Sequence, residues 1–124
     1  MYRFYYQILG FVITTRLLNV ILLCLTQYLI SIYILAPERS LTSLILDFNL
    51  FIIVLVTAIS TLSGYIINNF YDFEKDRINR PKMFFLGNLI SVINQLKIYF
   101  LFNLIAMIIS ISISYKVFVF YSFY

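Results

Sequence analysis

The 124-residue sequence contains no histidine. Without an imidazole, neither Ser-His-Asp nor Cys-His catalysis can be assembled, and no His-ligated metal site exists. A single cysteine, Cys24, excludes an internal disulfide and a cysteine-based zinc site. The three glycines, Gly10, Gly64 and Gly87, are too few and too dispersed for a Gly-rich dinucleotide turn or a P-loop. Charge is scarce too: 11% of the residues are Asp, Glu, Lys or Arg, against about a quarter in soluble domains. What fills the chain instead is apolar, 63% of all residues, with 19% aromatic. A water-soluble core of this length cannot enclose so much Leu, Ile, Phe and Val, because a small domain leaves much of its chain at the surface. The solvent must be lipid. The net charge of +4 sits beside long apolar runs and not on one basic face, so it reads as membrane topology, and no nucleic-acid partner is expected.

Residues 17–37, 48–71 and 98–115 are free of charge, each close to the roughly 20 residues a helix needs to cross the hydrocarbon layer. The expected fold is all-α and polytopic, one domain over residues 1–124, with membrane helices over about 17–36, 48–76 and 92–118. Pro37 ends the first, Asp47 is placed to cap the second, and Ser91 the third. Arg3 and Arg16 precede the first span, Arg39 alone lies in the first loop, and Lys75, Arg77, Arg80, Lys82 and Lys97 cluster in the second. Cytoplasmic loops retain positive residues, so the N-terminus and the 72–97 loop are expected in the cytoplasm. Tyr71 and Tyr99 then fall at the inner interface, Tyr33 and Tyr115 at the outer one. Residues 83–93 read either as a short interfacial helix or as loop. The last residues, 118–124, carry no polar flank, which reads as a piece of a longer protein.

One stretch carries chemistry: Asn68-Asn69-Phe70-Tyr71-Asp72-Phe73-Glu74-Lys75-Asp76-Arg77-Ile78-Asn79-Arg80-Pro81. If the second helix continues through it, 100° per residue gathers Asn68, Asn69, Asp72, Asp76 and Arg80 within an arc of roughly 120°. Two carboxylates and two carboxamides thus converge at one end of a membrane helix. Oxygen donors without His or Cys suit a hard cation, and Mg²⁺ takes one or two protein carboxylates and completes its shell with waters and phosphate oxygens. The same residues also read as solvated topology determinants, with Asp72 and Asp76 paired to Lys75 and Arg80. Like charges four residues apart repel by about 0.2–0.5 kcal/mol, a conflict that a shared cation removes.

This stretch resembles the first Asp-rich motif of the UbiA superfamily of intramembrane prenyltransferases, Asn-Asp-x-x-Asp-x-x-x-Asp at the end of the second membrane helix. Asn68 matches its Asn, Asp72 and Asp76 its later two Asp, and Arg80-Pro81 the Arg-Pro that follows. Asn69 departs, standing where the family has its first Asp. Arg16 and Asn19 look like the Arg-x-x-Asn that lines the family's pocket. The resemblance implies the N-terminal third of a UbiA-type bundle in a bacterial inner membrane, with a tilt towards geranylgeranylglycerol-phosphate geranylgeranyltransferases. It implies Mg²⁺ as cofactor, an isoprenyl diphosphate as donor and a lipid or aromatic acceptor. Asp72 and Asp76 would be catalytic and, with Asn68, would hold the metal. Arg16, Asn19, Asn69, Lys75, Arg80 and Lys82 would meet substrate. The second Asp-rich motif is absent, so the chain by itself is expected to be inactive.

Elsewhere, Ser60 and Gly64 with Ala58, Thr57, Thr61 and Ser63 make the middle of the second helix small, which permits close helix approach. Thr26, Gln27 and Asn103 are polar groups within spans and are expected to face protein or a cavity. Two other readings remain. A CDP-alcohol phosphatidyltransferase also uses Asp on membrane helices, but its Ala-Arg after an Asp-Gly pair is missing here. A three-span accessory subunit would use its polar residues only for assembly.

Overall fold

The computed structural model describes residues 2–79, 81 and 90–122. Among them there are helices and no strands. Helix α1 covers Tyr2–Thr14, α2 Leu17–Ile30, α3 Leu41–Ile45, α4 Phe48–Tyr71, α5 Phe73–Asn79, α6 Val92–Ile113 and α7 Tyr115–Ser122. Three helical stretches, Leu17–Leu35, Phe48–Tyr71 and Ile93–Ile113, are long and apolar enough to cross a membrane. This is an all-α membrane protein. Helix α4 is the centre of the bundle, packing on α6 along most of its length and on α2 across another face. Within an 18-residue apolar window of each stretch, 28% of the residues are buried in α4 and 11% in the other two, so most of the Leu, Ile and Phe on α2 and α6 points outward. Leu18, Leu22, Leu25 and Leu29 on α2 and Phe100, Leu104, Ile108 and Ile111 on α6 are exposed. So large an apolar surface is not tolerated by a soluble monomer, and acyl chains are its natural cover.

Local chemistry sets where these helices begin and stop. Past Ser31 the helix widens into a π turn, Ser31–Leu35, closed by the Ala36 N–H on the Ser31 carbonyl at 3.0 Å. Ala36 then leaves helical geometry with φ −142°, as the residue before Pro37 is pushed to do. Ser91 caps α6, its Oγ accepting from the Asn94 N–H. Asp47 caps α4, Oδ1 accepting from the N–H groups of Asn49 and Leu50 at 3.0 and 3.2 Å. Its Oδ2 takes the Arg39 guanidinium at 2.8 Å, which latches the 36–47 loop over the helix start. Both caps are where the sequence put them.

Hydrogen bonding by Arg39, then by the Leu50 N–H, holds the Asp47 carboxyl below the usual carboxylate range. A depressed acid contributes stability above its unfolded-state pKa and loses it as pH falls through the folded one. The difference in stability between the protein and Asp47→Ala is therefore expected to be full at neutral pH and to shrink on acidification below the ordinary carboxylate range, to what a neutral cap contributes. Asp47→Asn, which still caps, should flatten that pH dependence while keeping most of the helix stability. Unfolding in detergent micelles across pH checks both.

Two expected helices are interrupted. The one expected over 48–76 pauses at Asp72, where ψ is 1°, and the one expected over 92–118 stops at Ser114, whose extended φ of −169° redirects the chain into α7. There Tyr121 OH reaches Thr57 Oγ1 on α4, so α7 folds back along the bundle instead of prolonging α6. Helix α1 lies outside every span expected from the charge-free runs. The small-residue stripe of α4 is only partly an interface: Ser60 and Ser63 are buried, but a Cβ added at Gly64 would meet nothing within 4 Å. Of the three polar groups expected to face protein or a cavity, Asn103 and Gln27 do, and Thr26 does not. Asn103 Nδ2 donates to Ser63 Oγ at 2.6 Å and to the Tyr99 carbonyl at 3.0 Å. Thr26 is exposed and donates back to the Leu22 carbonyl, while Gln27 Oε1 is enclosed with no hydrogen-bond partner among the described residues.

Candidate functional site

The end of α4 is built by its own backbone ladder. Asp72 N–H donates to the Asn68 carbonyl at 2.9 Å and Asp76 N–H to the Asp72 carbonyl at 2.8 Å. Despite the pause at Asp72, the i to i−4 pattern therefore runs through it, and Asn68, Asp72 and Asp76 stand on successive turns. At about 100° per residue they span an arc of roughly 80°. Asp72 and Asp76 are half-buried and Asn68 is exposed. Tyr65, one turn deeper, lies within the same arc.

Arg16 is brought to this place by helices packed on α4. It occupies the turn between α1 and α2 with φ 48° and ψ 48°, a left-handed conformation that is rare for a side-chain-bearing residue. The Asn19 N–H closes the turn on the Arg16 carbonyl at 2.8 Å. Its guanidinium lies over the Tyr65 ring, 5.4 Å from the centroid. A cation thus stands at the membrane end of a stripe whose other end is two carboxylates. The left-handed backbone costs about 1–2 kcal/mol with a Cβ and almost nothing in glycine. Arg16→Ala and Arg16→Gly both remove the ring contact, so Arg16→Gly is expected to be the more stable of the two by about 1 kcal/mol. Equal unfolding midpoints would mean that the turn relaxes out of this conformation.

Asn69 is engaged elsewhere. Its Nδ2 donates to Gln95 Oε1 on α6 at 3.0 Å, and Gln95 Nε2 donates to the Ile90 carbonyl at 3.0 Å. Gln95 is 2% exposed, so this relay is interior. It ties the mouth of α4 to the start of α6 and leaves the Asn69 amide group directed away from solvent. Gln95 had no role in the sequence reading, although a polar residue one turn inside a span is itself a sign of an inward-facing partner.

Comparison with protein-family models, with curated proteins and with solved structures finds no match.

Of the other expected substrate contacts, Asn19 is exposed on the first turn of α2. Lys75 Nζ lies 3.9 Å from Asp72 Oδ1, with the two side chains 79% and 41% exposed. So loose and solvated an ion pair contributes little, about 0–1 kcal/mol at most. Arg80 and Lys82, and with them residues 83–89 of the stretch that reads either as interfacial helix or as loop, lie outside the described residues. Among the described residues no three acidic or cysteine side chains converge as a metal cluster. A cleft of about 370 Å³ opens at the same end of α4 between Phe70, Tyr71, Phe73, Glu74 and Lys75. It lies on the far side of the helix from the Asn68–Asp76 stripe.

Proposed function

We propose that this chain supplies one wall of an intramembrane site for Mg²⁺-dependent transfer of a prenyl group from an isoprenyl diphosphate to a lipid or aromatic acceptor, as UbiA-type enzymes do. The observation that carries this reading is the stripe Tyr65, Asn68, Asp72 and Asp76 on successive turns, with the Arg16 cation resting on its inner end. Two carboxylates and an amide oxygen are the donor number Mg²⁺ accepts from protein while leaving room for phosphate oxygens. Asp72, Asp76 and Asn68 would hold the ion. When bound, it neutralises charge on the departing diphosphate without proton transfer.

The chain's own residues have separate tasks in this scheme. Arg16, pre-set over Tyr65, offers a bidentate fork to a phosphate at the lipid end of the stripe. Lys75, Arg80 and Lys82 add positive charge at the aqueous end, which by the retention of basic loops is cytoplasmic in a bacterial inner membrane. The apolar faces of α2, α4 and α6 accommodate an isoprenoid tail and exclude water from a reactive carbon. Asn69, held by Gln95, serves the shape of the site in place of the charge that an Asp would bring.

The test is equilibrium binding of geranylgeranyl diphosphate to the protein in liposomes. Binding that requires Mg²⁺ and disappears with EDTA is expected. Absence of Mg²⁺-dependent binding would favour a second reading, a three-span assembly subunit. The bonds Asn69–Gln95, Ser63–Asn103 and Thr57–Tyr121 support that reading, since they use polar side chains for helix packing alone.

A further inference from the structure

Helix α1 passes into α2 through Thr15 and Arg16 with no linker. Thr15 is fully buried, its Oγ1 donating to the Phe11 carbonyl at 2.7 Å, and Gly10 is buried as well. The Phe11 ring meets Phe102 of α6 edge-on, 6.3 Å between centroids. Phe102 adjoins Asn103, whose side chain bonds Ser63 of α4, eight residues inside the Tyr71 end of that span. At 1.5 Å per residue that is about 12 Å into a hydrocarbon layer about 30 Å thick. The inner end of α1 is therefore at bilayer depth. Thirteen residues of helix reach only about 20 Å, too short to cross.

The side of α1 turned away from the bundle presents Tyr5, Ile8 and Val12, all exposed, at helical spacing. We infer that α1 is a half-membrane helix, embedded in the leaflet at the Asp72 end of the bundle, and that lipid acyl chains cover its Tyr5, Ile8 and Val12 face. That face continues into the lipid-facing Leu18 and Leu22 of α2. Water at that depth would expose the whole strip at the full cost of apolar hydration. A second copy of the chain is the poorer cover, because three side chains fall far short of the roughly 20–30 residues a side that a stable interface uses. Tyr5 and Tyr6, packed edge-on 6.0 Å apart near the other end of the helix, suit the headgroup boundary.

The chain has no tryptophan, so one introduced indole reports its own surroundings. Ile8→Trp and Val12→Trp, made singly at exposed positions and reconstituted in phosphatidylcholine liposomes, are compared with Leu18→Trp on α2. Lipids brominated on the acyl chains should quench all three to the same extent, and aqueous iodide should leave all three unchanged. Iodide quenching at positions 8 and 12 with none from brominated lipid would overturn the inference by placing α1 in water. Resistance to both quenchers at 8 and 12, with Leu18→Trp still quenched by lipid, would overturn it in favour of a protein partner. Neither result depends on the chemistry at Asp72, so the inference and the proposed function stand or fall separately.

Discussion

Asp72→Asn is expected to weaken Mg²⁺-dependent binding of geranylgeranyl diphosphate about 10- to 100-fold, each tenfold being about 1.4 kcal/mol. The exchange keeps an oxygen donor of the same reach and removes one unit of charge facing a divalent ion. Unit charges 4 Å apart near a protein surface interact by about 4 kcal/mol, and solvent screening at a side chain as accessible as Asp72 cuts this to the range given. Asp76→Asn should lose a similar amount. The double variant should lose less than the sum, because the two act on one ion. Loss of the Lys75 contact cannot imitate the effect, since at 3.9 Å and with both groups solvated it is a weak pair. Glu74→Gln is the control: it removes the same charge from the cleft side of the helix and should leave binding unchanged. Equal losses at Glu74 and Asp72 would reduce the effect to bulk charge, and no loss at Asp72 or Asp76 would end the metal reading.

Gln95→Ala should have the largest effect on stability, about 1–2 kcal/mol, because it strands a donor on Asn69 and an acceptor at Ile90 together. Within membranes such bonds are individually modest, about 0.6 kcal/mol on average, and the unfolded chain finds substitutes. Here the stranded groups lie beside a side chain that is 2% exposed, so replacement by water is poor. Reversible unfolding in mixed micelles measures the loss. Asn69→Ala made in the Gln95→Ala background should then cost almost nothing, the signature of a shared contact. If Gln95→Ala unfolds no more readily than the exposed variant Asn94→Ala, the relay is not holding the helices together.

The three spans were legible because each is built on a charge-free run of about the right length, and the cap at Asp47 because it is one short polar side chain immediately before such a run; Ser91 was legible from the Gly87-Asn88 pair before it, with Lys97 lying inside the third span. The stripe Asn68, Asp72 and Asp76 was legible for the same local reason, four-residue spacing, and it survives the pause in α4 since the backbone bonds continue across Asp72. What spacing cannot carry is contact between distant parts. Asn69 and Gln95 are 26 residues apart in sequence, and nothing near either position announces the other. The turn at Ser114 has no proline or glycine to mark it and is accompanied by the reach of Tyr121 to Thr57. Helix α1 was missed because thirteen residues ending next to Arg16 form no run long enough to register as a span. The stack of Arg16 on Tyr65 depends on a left-handed backbone that an arginine does not advertise.

The pause at Asp72 gives the acidic pair a mechanical meaning. One carboxylate belongs to the joint itself and the other to the short segment beyond it, so anything gripped by both acts as a splint across the bend. On the proposed reading, a cation held by both would brace α5 against α4, and its binding would then be readable as added rigidity far from any chemistry.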